Sequence, residues 1–252
     1  MKITFLGTGT SVGVPQMACH CAVCQSQDER DKRLRASIMV ETKEGKRVLV
    51  DCGPDFRQQS LRYGIEHVDG ILMTHIHFDH AEGINEIRPL QEADIYCERS
   101  VKEGILRFYP YLFGEHPYPG APELRLHEID AEHVFTLCGM NITPIRAMHG
   151  KLPVLGYRFD DDLVYLTDFS QVEERESEKM SGVKVAILDA LREKEHPSHV
   201  NLGQAMELAD RLEIPQVYFT HMSHEMGLHS WRNEQLPPSR QLAYDGLVLE
   251  LK

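Results

Sequence analysis

Residues 71–80 read Ile-Leu-Met-Thr-His-Ile-His-Phe-Asp-His, a short apolar run that ends in three histidines and an aspartate. The apolar part predicts a β-strand. Side chains two positions apart in an extended segment point to the same side, so His75 and His77 are placed to bind one metal ion together. If a helix begins after them, Asp79 and His80 are directed toward a second ion, ~3.5–4 Å from the first.

Packing alone does not explain this cluster. Burying such polar groups without partners costs on the order of 1–3 kcal/mol each, and imidazole with carboxylate suits zinc, manganese and iron. More donors follow later strands: Asp168 comes directly after 164–167, His221 directly after 217–220, and His149 follows the strand 142–145 by a short loop. The sequence therefore predicts a two-metal site at the carboxyl ends of several strands.

Predicted strands and helices alternate along the chain, which indicates a layered α/β sandwich. The strands 124–127, 134–137, 140–145, 155–159 and 163–167 are expected to form a meander, with Asp160-Asp161-Asp162 as a solvated turn. The other predicted strands are 2–6, 37–41, 47–50, 70–73, 183–188, 216–220 and 247–251. The predicted helices are 55–63, 82–90, 100–108, 171–180 and 202–212.

Composition narrows the class of protein. The 252 residues are 42% apolar and 26% charged, and no apolar run approaches the ~20 residues that span a bilayer. Residues 1–252 are expected to form one domain, with no membrane association and a cytoplasmic location, because Gly7 interrupts the N-terminal apolar run too early for a signal peptide. The 39 acidic and 27 basic residues give a net charge of −12, which argues against binding a long nucleic acid.

Three cysteines, Cys19, Cys21 and Cys24, lie within six residues. In a cytoplasmic protein such spacing favours a structural zinc site over disulfides or plain surface thiols. Zinc in a closed site takes four N or S ligands, and the residues alone leave the fourth open between His20, Cys52 and a distant histidine. Cys97, Cys138 and Cys52 are otherwise expected to be small buried residues.

The order of these features resembles the metallo-β-lactamase superfamily. The resemblance covers nearly the whole chain and adds Asp51, which ends the run 48–51. It implies a four-layer αββα sandwich, with Asp51 orienting ligands without binding metal. The ligands that it implies are His75, His77 and His149 for one ion, Asp79, His80 and His221 for the other, and Asp168 as a bridge.

Three further features restrict the resemblance to one subfamily. They are residues 7–15, Gly-Thr-Gly-Thr-Ser-Val-Gly-Val-Pro, the three cysteines, and the pair His221 and His224. They are similar to the subfamily that includes the phosphoribosyl cyclic phosphodiesterase of phosphonate breakdown and a relative in pyrroloquinoline quinone biosynthesis. This resemblance implies that His224 completes the structural zinc site with Cys19, Cys21 and Cys24. It also implies that a histidine in the stretch 196–201 is the general acid.

The expected function is metal-dependent hydrolysis of a small phosphorylated sugar or nucleotide-like ester, cyclic esters included. A hydroxide held between two zinc, manganese or iron ions is the expected nucleophile, since coordination lowers the pKa of water toward ~7. His199 is preferred to His196 as the acid for the leaving group, and Asp189 is expected either to orient His199 or His221 or to act as a plain cap. The candidate catalytic residues are His199, Asp79 and Asp51.

Three alternatives remain open: a thioester or lactone hydrolase of the same fold, an RNA 3′-processing nuclease, and an accessory protein of cofactor biosynthesis. The stretch 108–119 is rich in aromatic residues and proline, unlike a helix, and suggests a substrate lid, a dimer contact or ordinary packing. No sequence feature specifies the oligomeric state, and a homodimer is the working expectation. The expected partner is a small phosphorylated substrate.

Overall fold

Two β-sheets pack face to face in the computed structural model, which describes residues 1–113, 118 and 120–251. The strands are β1 Lys2–Gly7, β2 Ser37–Glu41, β3 Arg47–Val50, β4 Gly70–Leu72, β5 Glu92–Cys97, β6 Glu123–Glu128, β7 Phe135–Leu137, β8 Met140–His149, β9 Leu152–Phe159, β10 Leu163–Leu166, β11 Val185–Asp189, β12 Gln216–Thr220, β13 Arg240–Leu242 and β14 Val248–Glu250. The α-helices are α1 Phe56–Tyr63, α2 Phe78–Ala81, α3 Arg99–Phe108, α4 Pro110–Phe113, α5 Glu174–Glu178, α6 Leu202–Arg211 and α7 His229–Asn233. Short 3-10 helices cover Glu29–Asp31, Glu82–Leu90 and His224–Met226.

The strand order places the carboxyl ends of the central strands at one edge of each sheet. The first sheet has the order β14-β1-β2-β3-β4-β5-β6 and the second has the order β13-β12-β11-β10-β9-β8-β7. Strands β3 to β6 run parallel to one another, as do β10 to β13. Residues that follow parallel strands therefore gather at one edge, where α/β proteins bind their ligands.

The central strands are covered on both faces. Along β10, Leu163 and Tyr165 enter the apolar layer between the sheets, whereas Val164 and Leu166 pack with residues of α6 such as Leu208. The outer face of the first sheet is buried in the same way under α1, α3 and Glu82–Leu90. Buried strands read as apolar runs because neither face meets water. The αββα fold expected from the sequence is confirmed.

Turn and cap residues set several element boundaries where the sequence predicts them. The hairpin of β2 and β3 has the predicted bounds, and α1 ends at Gly64, whose φ of 62° is left-handed and suits glycine. Helix α6 begins with a capping box in which Asn201 and Gln204 each accept a hydrogen bond from the other's backbone N–H. These local signals need no tertiary information.

Other expectations were wrong. Strand β6 does not belong to the meander, because it pairs in parallel with β5 in the first sheet, and β5 and β13 were not predicted at all. His149 does not follow a loop, since β8 extends to His149 itself in a long hairpin with β9. The helix expected over 171–180 is confined to Glu174–Glu178. Strands β5, β6 and β13 depend on pairing partners that are distant in sequence, which local patterns do not contain.

The aromatic stretch 108–119 also differs from the prediction. Pro110–Phe113 forms the short helix α4, with proline at the first helical position, where its missing N–H is no loss. Residues 114–117 and 119 lie outside the described residues. Within the part of the chain that the structure describes, no helix is long and apolar enough to cross a bilayer.

Candidate metal centre

Three of the predicted site residues have left-handed backbone just beyond the end of a strand, Asp51 and His221 directly after it and Asp168 one residue later. Asp51, Asp168 and His221 come after β3, β10 and β12, and their φ angles are +62°, +50° and +57°. Left-handed backbone at a residue other than glycine costs on the order of 1–3 kcal/mol and is concentrated at functional sites. The fold therefore holds these three side chains at the edge of the sheets at an energetic cost.

The donor atoms converge at this edge. The ligand atoms of Asp79, His80, Asp168 and His221 lie within 4.8 Å of one another, and those of His75, His77 and Asp168 do the same. Asp168 belongs to both groups: its Oδ1 is 2.7 Å from Nε2 of His221, and its Oδ2 is 3.5 Å from Nε2 of His75. His149 completes the arrangement, with its Nε2 4.0 Å from Asp168 Oδ2.

The chemistry of these donors fits divalent metal ions. The Nε2 atoms of His75 and His80 are buried and have no hydrogen-bond partner. Carboxylate oxygens lie 3.1–3.5 Å from them, without hydrogen-bond geometry. Buried nitrogen atoms are rarely left in this state, and a ligated metal would satisfy both. His75, His77 and His149 with Asp168 could hold one ion, and Asp79, His80 and His221 with Asp168 the other, which are the two sets that the resemblance implies.

Asp51 lies behind these donors. Its Oδ1 accepts a hydrogen bond from the backbone N–H of Thr74 at 2.8 Å, and its Oδ2 accepts from the hydroxyl of Thr74 at 2.9 Å. Nδ1 of His80 lies 2.7 Å from the same Oδ2, so this nitrogen carries the proton and Nε2 is left to face the other donors. Thr74 was missed by sequence reasoning, because a threonine before a histidine gives no signal by itself.

The carboxylates and the imidazoles shift each other's protonation. Burial opposes the charged form of Asp168, but His221 and His80 outweigh it and hold the pKa of Asp168 well below its usual range. Burial lowers the pKa of His221, but the carboxylates of Asp168, Asp79 and Asp189 outweigh it and raise that pKa to about 10. Burial lowers the pKa values of His75 and His149, which favours the neutral imidazole that a metal ion requires.

Asp51→Asn is expected to weaken metal binding by about 10- to 100-fold, because it removes the negative charge next to His80 and replaces one of the two oxygens that accept from Thr74 and His80 with an NH2 group. Metal affinity measured by competition with a chromophoric chelator checks this expectation. Asp162→Asn is the matched control, since Asp162 lies before β10, at the end of that strand opposite to Asp168. Equal metal affinities for the two variants would show that Asp51 does not position His80.

His199 lies next to this cluster: its donor atom and those of Asp189, Asp168 and His221 lie within 4.8 Å of one another. Its Nδ1 is 3.0 Å from Oδ2 of Asp189, a fully buried carboxyl whose pKa burial raises. The ring stacks on His221 with a centroid distance of 5.2 Å and lies 4.6 Å from the ring of His149. Of the alternatives for Asp189, the structure places it as the partner of His199, because its distance to His221 Nδ1 is 3.9 Å.

The loop that carries His199 is joined to the donor cluster. The backbone carbonyl of Ser198 accepts a hydrogen bond from Nδ1 of His149 at 2.7 Å, which orients Nε2 of that histidine toward Asp168. Nδ1 of His196 accepts a hydrogen bond from the backbone N–H of Ser198 at 3.3 Å. In the described part of the chain, His196 forms no hydrogen bond with Asp189. A backbone carbonyl gives no sequence signal, so this contact could not be predicted.

The three cysteines lie next to His224, the fourth ligand that the resemblance implies. Nδ1 of His224 lies 3.2 Å from Sγ of Cys19 and 3.3 Å from Sγ of Cys21, and Cys24 lies in the same group of donors. The other candidates for the fourth position are not there: Cys52 is buried under the first sheet, and His20 is not in the group. The Cys24 N–H and His224 lower the pKa of Cys21 to about 6, while burial raises the pKa of Cys24 to about 11.

This cysteine cluster, Cys19, Cys21, Cys24 and His224, connects distant parts of the chain. His224 follows His221 by three residues, and the neighbouring Met222 exchanges backbone hydrogen bonds with Thr8 and Thr10 of the N-terminal loop. A metal ion at the cysteine cluster would therefore fix both the N-terminal loop and the segment after β12. Cys97 is buried as expected, whereas Cys138 is half-buried.

Cys21→Ser is expected to release about one zinc per chain and to lower the free energy of unfolding by on the order of 2–3 kcal/mol. For a chain of this size such a loss corresponds to a fall in Tm of about 4–12 °C. Metal analysis and thermal unfolding check both effects, with Cys138→Ser as the control that keeps its zinc. An unchanged zinc content in Cys21→Ser would exclude a structural role for the cysteine cluster.

A buried charged network behind the N-terminal loop was also missed. The guanidinium of Arg33 donates to the hydroxyl of Thr8 at 2.8 Å, and Oδ1 of Asp245 accepts from the same hydroxyl at 2.7 Å. Burial lowers the pKa of Arg33 to about 10 and raises that of Asp245 to about 6. A lone arginine and a lone aspartate separated by more than 200 residues give no local signal.

Comparison with known proteins agrees with this geometry. A model of the β-lactamase superfamily domain matches residues 46–222. The crystal structure of a diphosphatase from the PhnP family has 39% sequence identity and a TM-score of 0.92, with 100% of this chain and 98% of that chain covered. The Zn²⁺-bound PqqB of Methylobacterium extorquens has a TM-score of 0.80 at 19% identity over 100% of both chains, which supports the fold alone.

A curated relative, an octanoyltransferase of Porphyromonas gingivalis, is 41% identical over 251 residues. That match covers 98% of this chain but only 51% of the relative. A second curated relative, the coenzyme PQQ synthesis protein B of Xanthomonas euvesicatoria, is 29% identical over 168 residues, which cover 61% of this chain and 54% of that protein. The chain thus spans about half the length of the curated relatives that it matches.

Proposed function

Because the chain belongs to the β-lactamase superfamily and has the metallo-β-lactamase fold, we propose that it is a dinuclear metal-dependent phosphodiesterase. Its substrate is a small phosphorylated sugar or nucleotide-like ester, and its partners include no long nucleic acid and no membrane. The observation that carries this proposal is the position of His199, held by Asp189 beside the cluster of donors.

The reason lies in the leaving group. An alkoxide that departs from phosphorus is a poor leaving group and needs a proton as the P–O bond breaks. Asp189 accepts a hydrogen bond from Nδ1 of His199, so in the imidazolium form Nε2 carries a proton that can pass to the departing oxygen. His199 then remains as the neutral ring, still bonded to Asp189.

The donor cluster is suited to two divalent ions, zinc or manganese, with iron as a further candidate. When bound, such ions supply a nucleophile from water at neutral pH and offset the negative charge of the phosphoryl oxygens. Asp51 fixes His80, and the Ser198 carbonyl fixes His149, so that both Nε2 atoms stay directed at the same space. The left-handed backbone of Asp168 and His221 holds their side chains there before any ligand binds.

The comparisons support phosphoryl chemistry without defining the substrate. The relative with the 0.92 TM-score is described as a diphosphatase, which acts on a phosphorus–oxygen bond as a phosphodiesterase does. An RNA nuclease is disfavoured by the net charge of −12. The name octanoyltransferase belongs to a protein of which this chain covers 51%, and an acyl-transfer activity of that protein can lie in the half that this chain does not match.

A panel of esters tests the proposal. Purified protein loaded with manganese or zinc is assayed with a phosphodiester, a diphosphate diester, a phosphomonoester, a thioester and a lactone. We expect turnover of the phosphodiester or the diphosphate diester at a kcat/KM at least about 100-fold above that of the thioester and the lactone. The reverse order would assign the chain to the acyl hydrolases of the same fold.

A further inference from the structure

The aromatic side chains that remain exposed are clustered. Of the four exposed Phe, Tyr and Trp side chains in residues 1–113, 118 and 120–251, three belong to neighbouring segments: Phe78 (55% exposed), Phe108 (60%) and Tyr111 (45%). The fourth, Trp231, is stacked against Arg232 on α7, at 4.7 Å. Exposed apolar residues that are grouped, unlike single ones, mark a binding surface.

Phe78 stands at the mouth of the donor cluster. It is the first residue of α2 and lies between His77 and Asp79 in sequence, so its backbone is fixed by two residues of the site. His77 is the exposed member of the cluster, whereas His75, His80 and His221 are buried. The site therefore opens to solvent on the side of His77 and Phe78.

The segment with Phe108 and Tyr111 packs against residues that precede and follow Phe78 in the chain. Gly104 of α3 touches Ile76 so closely that an added Cβ would lie 2.6 Å from Cγ1 of Ile76. One helical turn beyond Gly104, Phe108 continues along the same face of α3. The hydroxyl of Tyr109 then donates to Glu82 at 2.9 Å, and that of Tyr111 donates to Asn85 at 2.9 Å. These contacts join the segment from α3 to α4 to the 3-10 helix Glu82–Leu90, which follows α2.

We propose that Phe78, with Phe108 and Tyr111 beside it, forms a stacking surface for a nucleobase or similar planar ring of the substrate. The inference rests on the proposed function and deepens it, since it assigns the substrate to nucleoside or aryl esters of phosphate or diphosphate. Each exposed ring leaves apolar surface in contact with water, and a bound planar group would cover that surface. Stacking tolerates any base because every base has a π-face.

The group that binds to this aromatic surface belongs to a small substrate and not to another protein. A protein that covered Phe78 would also cover His77, its neighbour, and close the opening of the site. A long nucleic acid strand is disfavoured by the net charge of −12. A single ring attached to the reacting phosphate needs neither a large contact area nor a basic surface.

Two esters with the same leaving group test the inference. Thymidine 5′-(p-nitrophenyl) phosphate and methyl p-nitrophenyl phosphate both release p-nitrophenolate and differ only in the group that stays on phosphorus. For the metal-loaded protein we expect kcat/KM to favour the thymidine ester by about 10-fold or more, mainly through KM. Phe78→Ala should reduce this ratio toward about 1, whereas Phe78→Tyr should retain most of it.

The controls separate the explanations. Val134→Ala removes an exposed apolar side chain next to β7, remote from the site, and should leave the ratio unchanged.

Equal rates for both esters in the unmodified protein and in Phe78→Ala would overturn the stacking surface while leaving the phosphodiesterase proposal intact. No hydrolysis of either ester would overturn both. A change in molecular mass for Phe78→Ala with an unchanged ratio would assign the aromatic surface to contacts between copies of the chain. Phe78→Leu repeats the test if the alanine variant does not fold.

Discussion

Asp168→Asn is expected to lower kcat/KM for phosphodiester hydrolysis by on the order of 10³-fold or more. Asp168 is shared by both groups of donors, with Oδ1 2.7 Å from His221 and Oδ2 3.4 Å from His80. The amide keeps the size of the side chain but loses the charge and one of the two oxygen donors. Loss of a single group that stabilises a transition state already costs about 10²–10³-fold.

Asparagine is the informative substitution at this position because it tolerates the left-handed backbone of Asp168 better than alanine does. Steady-state kinetics and metal analysis on the same samples check the expectation. We expect fewer than two catalytic metal ions per chain in Asp168→Asn and an unchanged metal content in Asp162→Asn. An Asp168→Asn variant with near-normal turnover would show that this carboxylate does not join the two halves of the site.

His199→Ala is expected to lose about 10²–10⁴-fold in kcat for esters with an alkyl leaving group. The loss should be much smaller for p-nitrophenyl esters, because nitrophenolate departs without a proton. The ratio of the two losses is the measurement, and it separates proton donation from a structural role, which would affect both esters alike. His196→Ala serves as the control, since His196 contacts Ser198 and not Asp189. Equal losses for both classes of ester would remove His199 as the general acid.

Much of this site could be predicted from the sequence for a physical reason. Strand ends are marked by apolar runs, and polar residues that follow such runs gather at one edge of a parallel sheet. His75, Asp168 and His221 fit this pattern, and the structure places all three there. The spacing of Cys19, Cys21 and Cys24 is also a local signal, because three thiols within six residues can bind the same metal ion.

The partners of those residues could not be predicted in the same way. Thr74 holds Asp51, which in turn orients His80, and the Ser198 carbonyl orients His149, all through contacts that the chain makes only after folding. His224 was chosen by resemblance, because the spacing of the cysteines leaves the fourth ligand undefined.

Sheet membership was the weakest part of the fold prediction. Strand β6 has the alternating, half-buried composition of an edge strand, which fits the end of either sheet. Its pairing with β5 follows from the parallel crossover through α3, and β5 itself was not recognised. The short helix α4 was not predicted, because a proline at the first helical position and a proline in a loop look alike in sequence.

The central claim is that hydrolysis depends on two metal ions held by the donors around Asp168. The most direct measurement is the rate of bis(p-nitrophenyl) phosphate hydrolysis as manganese or zinc is titrated into chelated protein whose cysteine cluster has kept its zinc. We predict no turnover in the chelated protein and a rate that rises until about two equivalents of metal per chain are bound. Turnover that survives complete removal of these ions would contradict the claim, as would an inactive protein with both equivalents bound.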